Sequence, residues 1–430
     1  MRKKKDSGIE WIGEIPSHWK LERLQWHITE IKESNKPEKS KQVLSLTNKR
    51  GVIPYEEKGA QGNIAKEDYS QYKLAYPGTI VANSMNILIG SVGRCDYFGC
   101  VSPVYYVYKP NEGENLEFIS YMFQMERFQK ELRRYANGIL EIRLRVSSDG
   151  ILKREMAFPP ISEQERIVSF LDGKLAQVDA LVANVEAQIE KLKAYKQSLI
   201  TEVVTKGLDP SVPMKDSGVE CVGTIPAHWE LCRVRNIGIP QNGISKGGEY
   251  FGEGYPFVTY GDVYRNFSLP ENPSGLIRST LEEQDNYSVC EGDIFFTRTS
   301  ETIEEVGFSC VCEKTLPNAT FAGFLIRLRP FNDDLVTQYA KYYFRSNHLR
   351  LFLVKEMNIV TRASLGQNLL KNIPVLLLPK AEQHRIAEEL DLRCGEIDQL
   401  IAIKQKKIDK LNEYKKSLIY EYVTGKREVS

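Results

Sequence analysis

The chain has 430 residues, of which 42% are hydrophobic and 27% charged, enough for two to four domains with a full core. Its 58 basic and 57 acidic side chains leave a net charge of +1, which excludes a uniformly basic nucleic-acid surface. The start, MRKKKDSGIE, runs straight into polar residues, and no apolar run approaches the roughly 20 residues of a membrane span. No signal peptide or span is therefore expected, and the expected location is cytoplasmic. Eight cysteines without a CxxC pair fit reduced core thiols better than zinc or disulfides.

Residues 5–24, KDSGIEWIGEIPSHWKLERL, return at 215–234 as KDSGVECVGTIPAHWELCRV, with 12 of 20 positions identical. Each copy reads as a short docking segment whose tryptophan, Trp19 or Trp229, anchors chain entry to a domain core. The adjacent His18 and His228 read as turn residues. After each copy comes a stretch without convincing repetition. The first contains β-rich runs at Val43–Thr47, Thr79–Asn83 and Val101–Tyr108, then a helical stretch at Leu116–Tyr135. The second contains Phe257–Tyr260, Asp293–Arg298 and Thr320–Leu328, then a helical stretch at Leu335–Lys355. The parallel order suggests that the two inserts share a mixed α/β fold while differing in sequence. They also differ in charge. Residues 1–157 carry 25 basic and 20 acidic side chains, whereas residues 207–377 carry 16 and 20.

A second repeated block follows each insert: 160–206 and 379–425 match at 21 of 47 positions. From Ser162 to Thr205 there is no proline and only Gly173. Leu171, Val178, Val185, Leu192 and Leu199 fall seven apart, with Leu175, Val182 and Ile189 as a second row. This is a heptad seam, which predicts a long helix packed on another. Ser162 and Glu165 read as a capping box after Pro159–Pro160. In the second block Leu390, Ile397, Leu411 and Leu418 form the seam, interrupted by Lys404, with Ile401 and Ile408 beside it. Two equal seams most simply cover one another. An antiparallel pair places the inserts at opposite ends around a pseudo-two-fold. The expected fold is α+β: two mixed α/β domains separated by two long antiparallel coiled-coil helices. The expected boundaries are 1–158, 159–207 (helix), 208–377 (linker and second domain) and 378–430 (helix).

Motifs for catalysis fail one by one. There is no GxxxxGK[ST] to cradle a triphosphate and no HExxH. Asn272-Pro273-Ser274-Gly275 lacks the second proline and the aromatic that an amino-methyltransferase loop uses to hold a flipped base. Glu56-Glu57-Lys58 lacks a partner acid at a sensible distance for a metal-dependent nuclease. Residues that read base edges and phosphates are better represented. In the first insert they are Lys49, Arg50, Asn86, Arg94, Arg143 and Arg145. In the second they are Asn242, Lys246, Arg298, Thr299, Arg362, Gln367 and Asn368. Arg143 and Arg362 stand at equivalent places before each long helix.

The paired KDSG…IPxHW segments, the openings PPISEQERI and LPKAEQHRI, the endings KQSLITEVVTKG and KKSLIYEYVTGK, and the linker KGLDPSVPMKDSG carry a resemblance. Over its whole length the chain resembles the specificity subunit of type I restriction-modification systems. The resemblance implies two target-recognition domains, each reading half of a split, asymmetric DNA site, with helices that set the unread spacer. It implies two modification subunits, which hold S-adenosylmethionine and methylate adenine, docked on the helices. It implies restriction subunits that use ATP and Mg. This chain would hold no metal or cofactor and would catalyse nothing. Cys221 stands where the first copy has Trp11, a departure that puts docking of the second copy in question. The competing readings are a coiled-coil scaffold that assembles partners without reading DNA, and a self-sufficient nuclease or methyltransferase.

Overall fold

In the computed structural model the described residues are 2–47, 51–58, 68–138, 144–300, 306–356 and 363–429. They form two compact units: unit 1 takes residues 1–185 and 406–430, and unit 2 takes residues 186–405. Each unit thus combines one insert with parts of both long helices.

Chain entry folds identically in the two units. Lys4–Asp6 pairs antiparallel with Glu14–Pro16, and Met214–Asp216 with Thr224–Pro226. Asp6 Oδ1 accepts the Gly8 N–H at 3.0 Å, and Asp216 Oδ1 accepts the Gly218 N–H at 3.0 Å. These glycines have φ of +69° and +71°, a conformation that side chains disfavour, so the repeated KDSG is the sequence of one turn made twice. Trp19 and Trp229 are fully buried. The Trp19 indole N–H donates to Glu163 at 3.2 Å, and that of Trp229 to Glu382 at 3.2 Å. His18 Nε2 and His228 Nε2 each lie 2.9 Å from the same carboxylates, and in unit 1 Arg2 also pairs with Glu163.

That carboxylate corrects the expected capping box. The first long helix begins at Ile161, so Ser162 lies inside its first turn. The Pro160 carbonyl accepts the N–H groups of Glu163 and Gln164 at 2.8 and 3.0 Å. The helix start is held by Glu163 reaching the entry segment, not by a serine reaching its own backbone. A carboxylate in the first turn also suits the positive end of the helix dipole.

Each insert builds a four-stranded antiparallel sheet in one order. In unit 1 it runs Ile28–Ile31, Tyr105–Pro110, Thr79–Asn83, Val92–Cys95. In unit 2 it runs Gly238–Asn242, Leu325–Pro330, Ile294–Thr297, Ser309–Val311. The strand before each long helix pairs with the strand after each tryptophan: Glu155–Phe158 with Lys20–Arg23, and Pro374–Leu377 with Glu230–Arg233. The runs expected at 101–108 and 320–328 each divide at a turn. Their final strands begin at Tyr105 and Leu325. Each expected helical stretch is two helices: Leu116–Gln124 and Glu126–Arg133, then Thr337–Tyr343 and Asn347–Glu356.

The long helices span Ile161–Lys206 and Lys380–Val423. In unit 1 the Phe170 ring lies 4.5 Å from that of Tyr422, and Asp179 pairs with Lys415. In unit 2 Gln188 accepts from Lys404 at 2.6 Å, and Lys196 pairs with Asp398 at 2.6 Å. Within each unit, rising numbers on one helix meet falling numbers on the other, so the helices run antiparallel. Leu171, Val178, Val185, Leu199, Leu390, Ile397 and Leu418 are buried, while Leu192 and Leu411 are half-buried. Lys404, the polar interruption of the seam, is satisfied by Gln188. A polar position within a seam, here half-buried, is a known means of fixing helix register. Both helix ends reach a tryptophan. Gly207, at φ +77°, lies against Pro226 and Trp229, and Gly425, at φ +71°, lies against Pro16 and Trp19. In unit 1 the end of the second helix therefore takes the place that the end of the first helix takes in unit 2.

The core of unit 2 buries His348, whose Nδ1 lies 2.7 Å from Ser346 Oγ. Burial pushes its pKa down to about 4. A base with a depressed folded pKa stabilises the fold above its unfolded value near 6.5, and that stability is lost as pH falls toward 4. The loss should reach roughly 3 kcal/mol, at about 1.4 kcal/mol per pH unit. Urea titrations at pH 7.5, 6 and 5, followed by hydrogen exchange in Asn347–Glu356, should show this slope, and His348→Asn should flatten it. Equal slopes in the two proteins would remove His348 as the cause.

Candidate nucleic-acid interface

In unit 2, four chain segments converge at one end of the four-stranded sheet. The strand Gly238–Asn242 ends there, Ile294–Thr297 ends there, and Leu325–Pro330 begins there, because Asn242 pairs with Ile326 and Thr297 with Leu325. The fourth segment precedes the short helix Gln367–Asn372. Its Leu365 N–H donates to the Arg298 carbonyl at 2.7 Å, and Ser364 pairs with Thr299. Gln367 Nε2 then donates to Asn242 Oδ1 at 3.2 Å. The rim so formed gathers Asn242, Arg298, Thr299, Gln367 and Asn368 from three distant parts of the sequence. Asn368 is exposed, and the other four are half-buried.

Unit 1 builds the same junction with other side chains. Val146 N–H donates to the Ser84 carbonyl at 3.1 Å, as Leu365 does to Arg298. Arg145, paired with Asn137, stands where unit 2 has Ser364. Asn86 follows Ser84 on a turn whose N–H bonds the Asn83 carbonyl at 3.1 Å. Arg145 and Asn86 are both exposed. The two rims share this main-chain bond, but the short strand pairs with Ala136–Asn137 in unit 1 and with Thr299–Ser300 in unit 2, and the side chains they present differ.

Two expected readers are committed elsewhere. Arg94 sits on the strand Val92–Cys95, away from the rim, and pairs with Asp96 at 2.7 Å and with Glu117. Lys246 donates to Glu283 at 2.7 Å and to the Arg278 carbonyl at 3.0 Å. The bond from Lys246 holds the Glu283 carboxyl below the usual carboxylate range. Both cations thus have carboxylate partners within their units. Lys49, Arg50, Arg143 and Arg362 lie outside the described residues. Sequence reasoning missed Ser364, which is exposed beside Thr299. A two-residue strand carries no periodicity, so only the offset of 219 to Arg145 could have pointed to it.

Other strong polar groups are structural. Arg329 grips the buried Asp293 with two bonds, of 2.7 and 2.6 Å. Arg345 donates to four carbonyls, those of Ser309, Val263, Tyr264 and Asn266, and burial pushes its pKa down to about 10. Among the described residues no group of three or more His, Cys, Asp or Glu could hold a metal, and no helix is long and apolar enough to cross a membrane.

Residues 229–413 match the family described as type I restriction modification DNA specificity domain. The chain is 22% identical to a protein assigned as the type I restriction enzyme MjaX specificity subunit of Methanocaldococcus jannaschii, over 97% of this chain and 96% of that one. It is 26% identical to the EcoKI specificity subunit of Escherichia coli K12, over 54% of this chain and 49% of that one. A chain solved in work on complex assembly and conformational transition of the type I R-M system superposes with a TM-score of 0.68. That match has 17% identity and covers 95% of this chain and 98% of the other.

The paired cations and the rim predict different outcomes on substitution. Asn368→Ala and Arg145→Ala should leave the thermal midpoint within about 1 °C, as surface changes do. Lys246→Ala should lower it by about 2–4 °C, because Glu283 loses its cation. Scanning calorimetry separates them. Unchanged stability with lost DNA affinity in Lys246→Ala would return Lys246 to the readers.

Proposed function

We propose that the chain is a specificity subunit of a type I restriction-modification system, the family that residues 229–413 match, and that each unit reads one half of a bipartite, asymmetric DNA site with its sheet rim. The chain itself is the non-catalytic DNA-recognition subunit of the complex. The observation that carries the two-reader proposal is one main-chain bond made in both units at the same end of the same sheet, with different side chains around it: Ser84 with Arg145 and Asn86 in unit 1, Arg298 with Thr299, Gln367 and Asn368 in unit 2. Identical rims would read a palindrome, as identical dimers do; dissimilar rims read two unlike halves.

Amides and guanidinium groups are the side chains that read adenine and guanine edges in the major groove. Unit 2 offers both, and the Asn242–Gln367 bond fixes one amide against another before DNA arrives. Its insert carries more acidic than basic residues. Affinity for the phosphate backbone at that half-site must then come largely from its partners. Those partners are two modification subunits, with S-adenosylmethionine, and the ATP- and Mg-dependent restriction subunits, docked on the helical regions. The long helices set the unread spacer.

Exchanging residues 216–377 for the matching segment of another specificity subunit should change one half of the methylated motif and leave the other unaltered. Mapping methylated adenines in host DNA reads this directly. A motif altered in both halves, or in neither, would end the two-reader proposal.

A further inference from the structure

The turn 322–324 of unit 2 carries an aromatic side chain onto the rim. Phe324 is 66% exposed, although its neighbours Phe321 and Leu325 are fully buried. Single exposed apolar residues are ordinary on protein surfaces. This one differs in how firmly its backbone is held. Its carbonyl accepts the Arg298 N–H at 2.9 Å, and the Gly323 N–H donates to the Ile244 carbonyl at 2.7 Å. Ile244 N–H returns a bond to Phe321 at 2.9 Å, Ala322 N–H bonds Val258 at 3.0 Å, and Leu325 N–H closes the turn on Ala322 at 2.9 Å. A Cβ on Gly323 would fall inside contact distance of Ser245 Oγ, so the clamp leaves no room for a side chain there. A ring on a fixed Cα has only two torsions left to order, which lowers the entropy cost of contact.

The sheet end that carries Phe324 also carries polar side chains. Arg298 holds its carbonyl directly, Thr299 follows Arg298, and the Asn242–Gln367 pair closes the same end of the sheet. Among the groups that base edges present in the major groove, one is apolar: the C5-methyl of thymine. A clamped, exposed ring at the sheet end that also carries Asn242, Arg298 and Gln367 suits a base-edge pattern that contains that methyl.

We propose that Phe324 makes an apolar contact with a thymine C5-methyl group in the half-site read by unit 2. This rests on the DNA-reading function proposed above and adds to it one residue and one chemical group on the DNA.

The test uses the full chain in its methyltransferase complex, wild type, Phe324→Leu and Phe324→Ala. Each thymine of the unit 2 half-site is replaced in turn by deoxyuridine, which lacks the methyl. Wild-type affinity should fall about fourfold at one position, the value of one buried methyl. Phe324→Ala should lose at least as much on the thymine duplex and nothing further at that position, while Phe324→Leu keeps most of the affinity. The proposal is overturned if Phe324→Ala binds like wild type, if no deoxyuridine position tracks its loss, or if the half-site contains no thymine. Failure of DNA reading itself shows separately, as an unaltered motif after exchange of residues 216–377.

Discussion

The contact on which the rest of the molecule depends is the antiparallel seam between the two long helices. An isolated amphipathic helix of this length exposes its apolar stripe to water and gains little from propensity alone. Here each unit covers the stripe of one helix with the other: Phe170 and Asp179 meet Tyr422 and Lys415 in unit 1, and Gln188 and Lys196 meet Lys404 and Asp398 in unit 2. Because the pairing is antiparallel, the final 25 residues belong to the unit that contains the first 185. Gly425 against Trp19 and Gly207 against Trp229 are the local signs of this arrangement. Unit 1 therefore needs residues 406–430 as well as its first 185.

The frame is conservative where the rims are not. A tryptophan N–H and a histidine on the first-turn glutamate fix the start of each long helix in the same way. The paired strands beside them and the order of each four-stranded sheet are also common to the two units. The inserts differ in their added strands, Leu44–Thr47 with Gly51–Pro54 and Lys73–Ala75 with Gly99–Val101 in unit 1 against a three-stranded sheet of Gly275–Ile277, Phe251–Val258 and Thr320–Phe321 in unit 2, and in the side chains at one end of the four-stranded sheet. A common frame that presents different side chains suits the proposed reading of two unlike half-sites.

Much of the frame was legible in the sequence because it rests on regular periodicity and tight turns. The heptads from Leu171 to Leu199 and from Leu390 to Leu418 announce two helices that cover each other. Asp6-Ser7-Gly8 and Asp216-Ser217-Gly218 announce a turn that needs glycine. The capping box at Ser162 was misread because Ser-x-x-Glu is a local pattern, and it was overridden by a tertiary bond to Glu163 from a segment more than 140 residues away. An arginine or lysine on a strand or loop looks the same in sequence whether it faces DNA or a glutamate, so the carboxylate partners of Arg94 and Lys246 are not legible there. The convergence of Asn242, Arg298, Thr299 and Gln367 depends on sheet order, which sequence spacing does not encode. The place of Phe324 beside Arg298 is hidden for the same reason.

The central claim is that the repeated frame spaces two independent readers. It is tested most directly by lengthening the frame alone. Seven residues, one heptad, inserted after Gln188 and again after Lys404 keep the seam in register and add about 10 Å to the helix pair. The account predicts a methylated motif with both halves intact and a spacer longer by about three base pairs, at ~3.4 Å per base pair. A fully active complex with an unchanged spacer would contradict it.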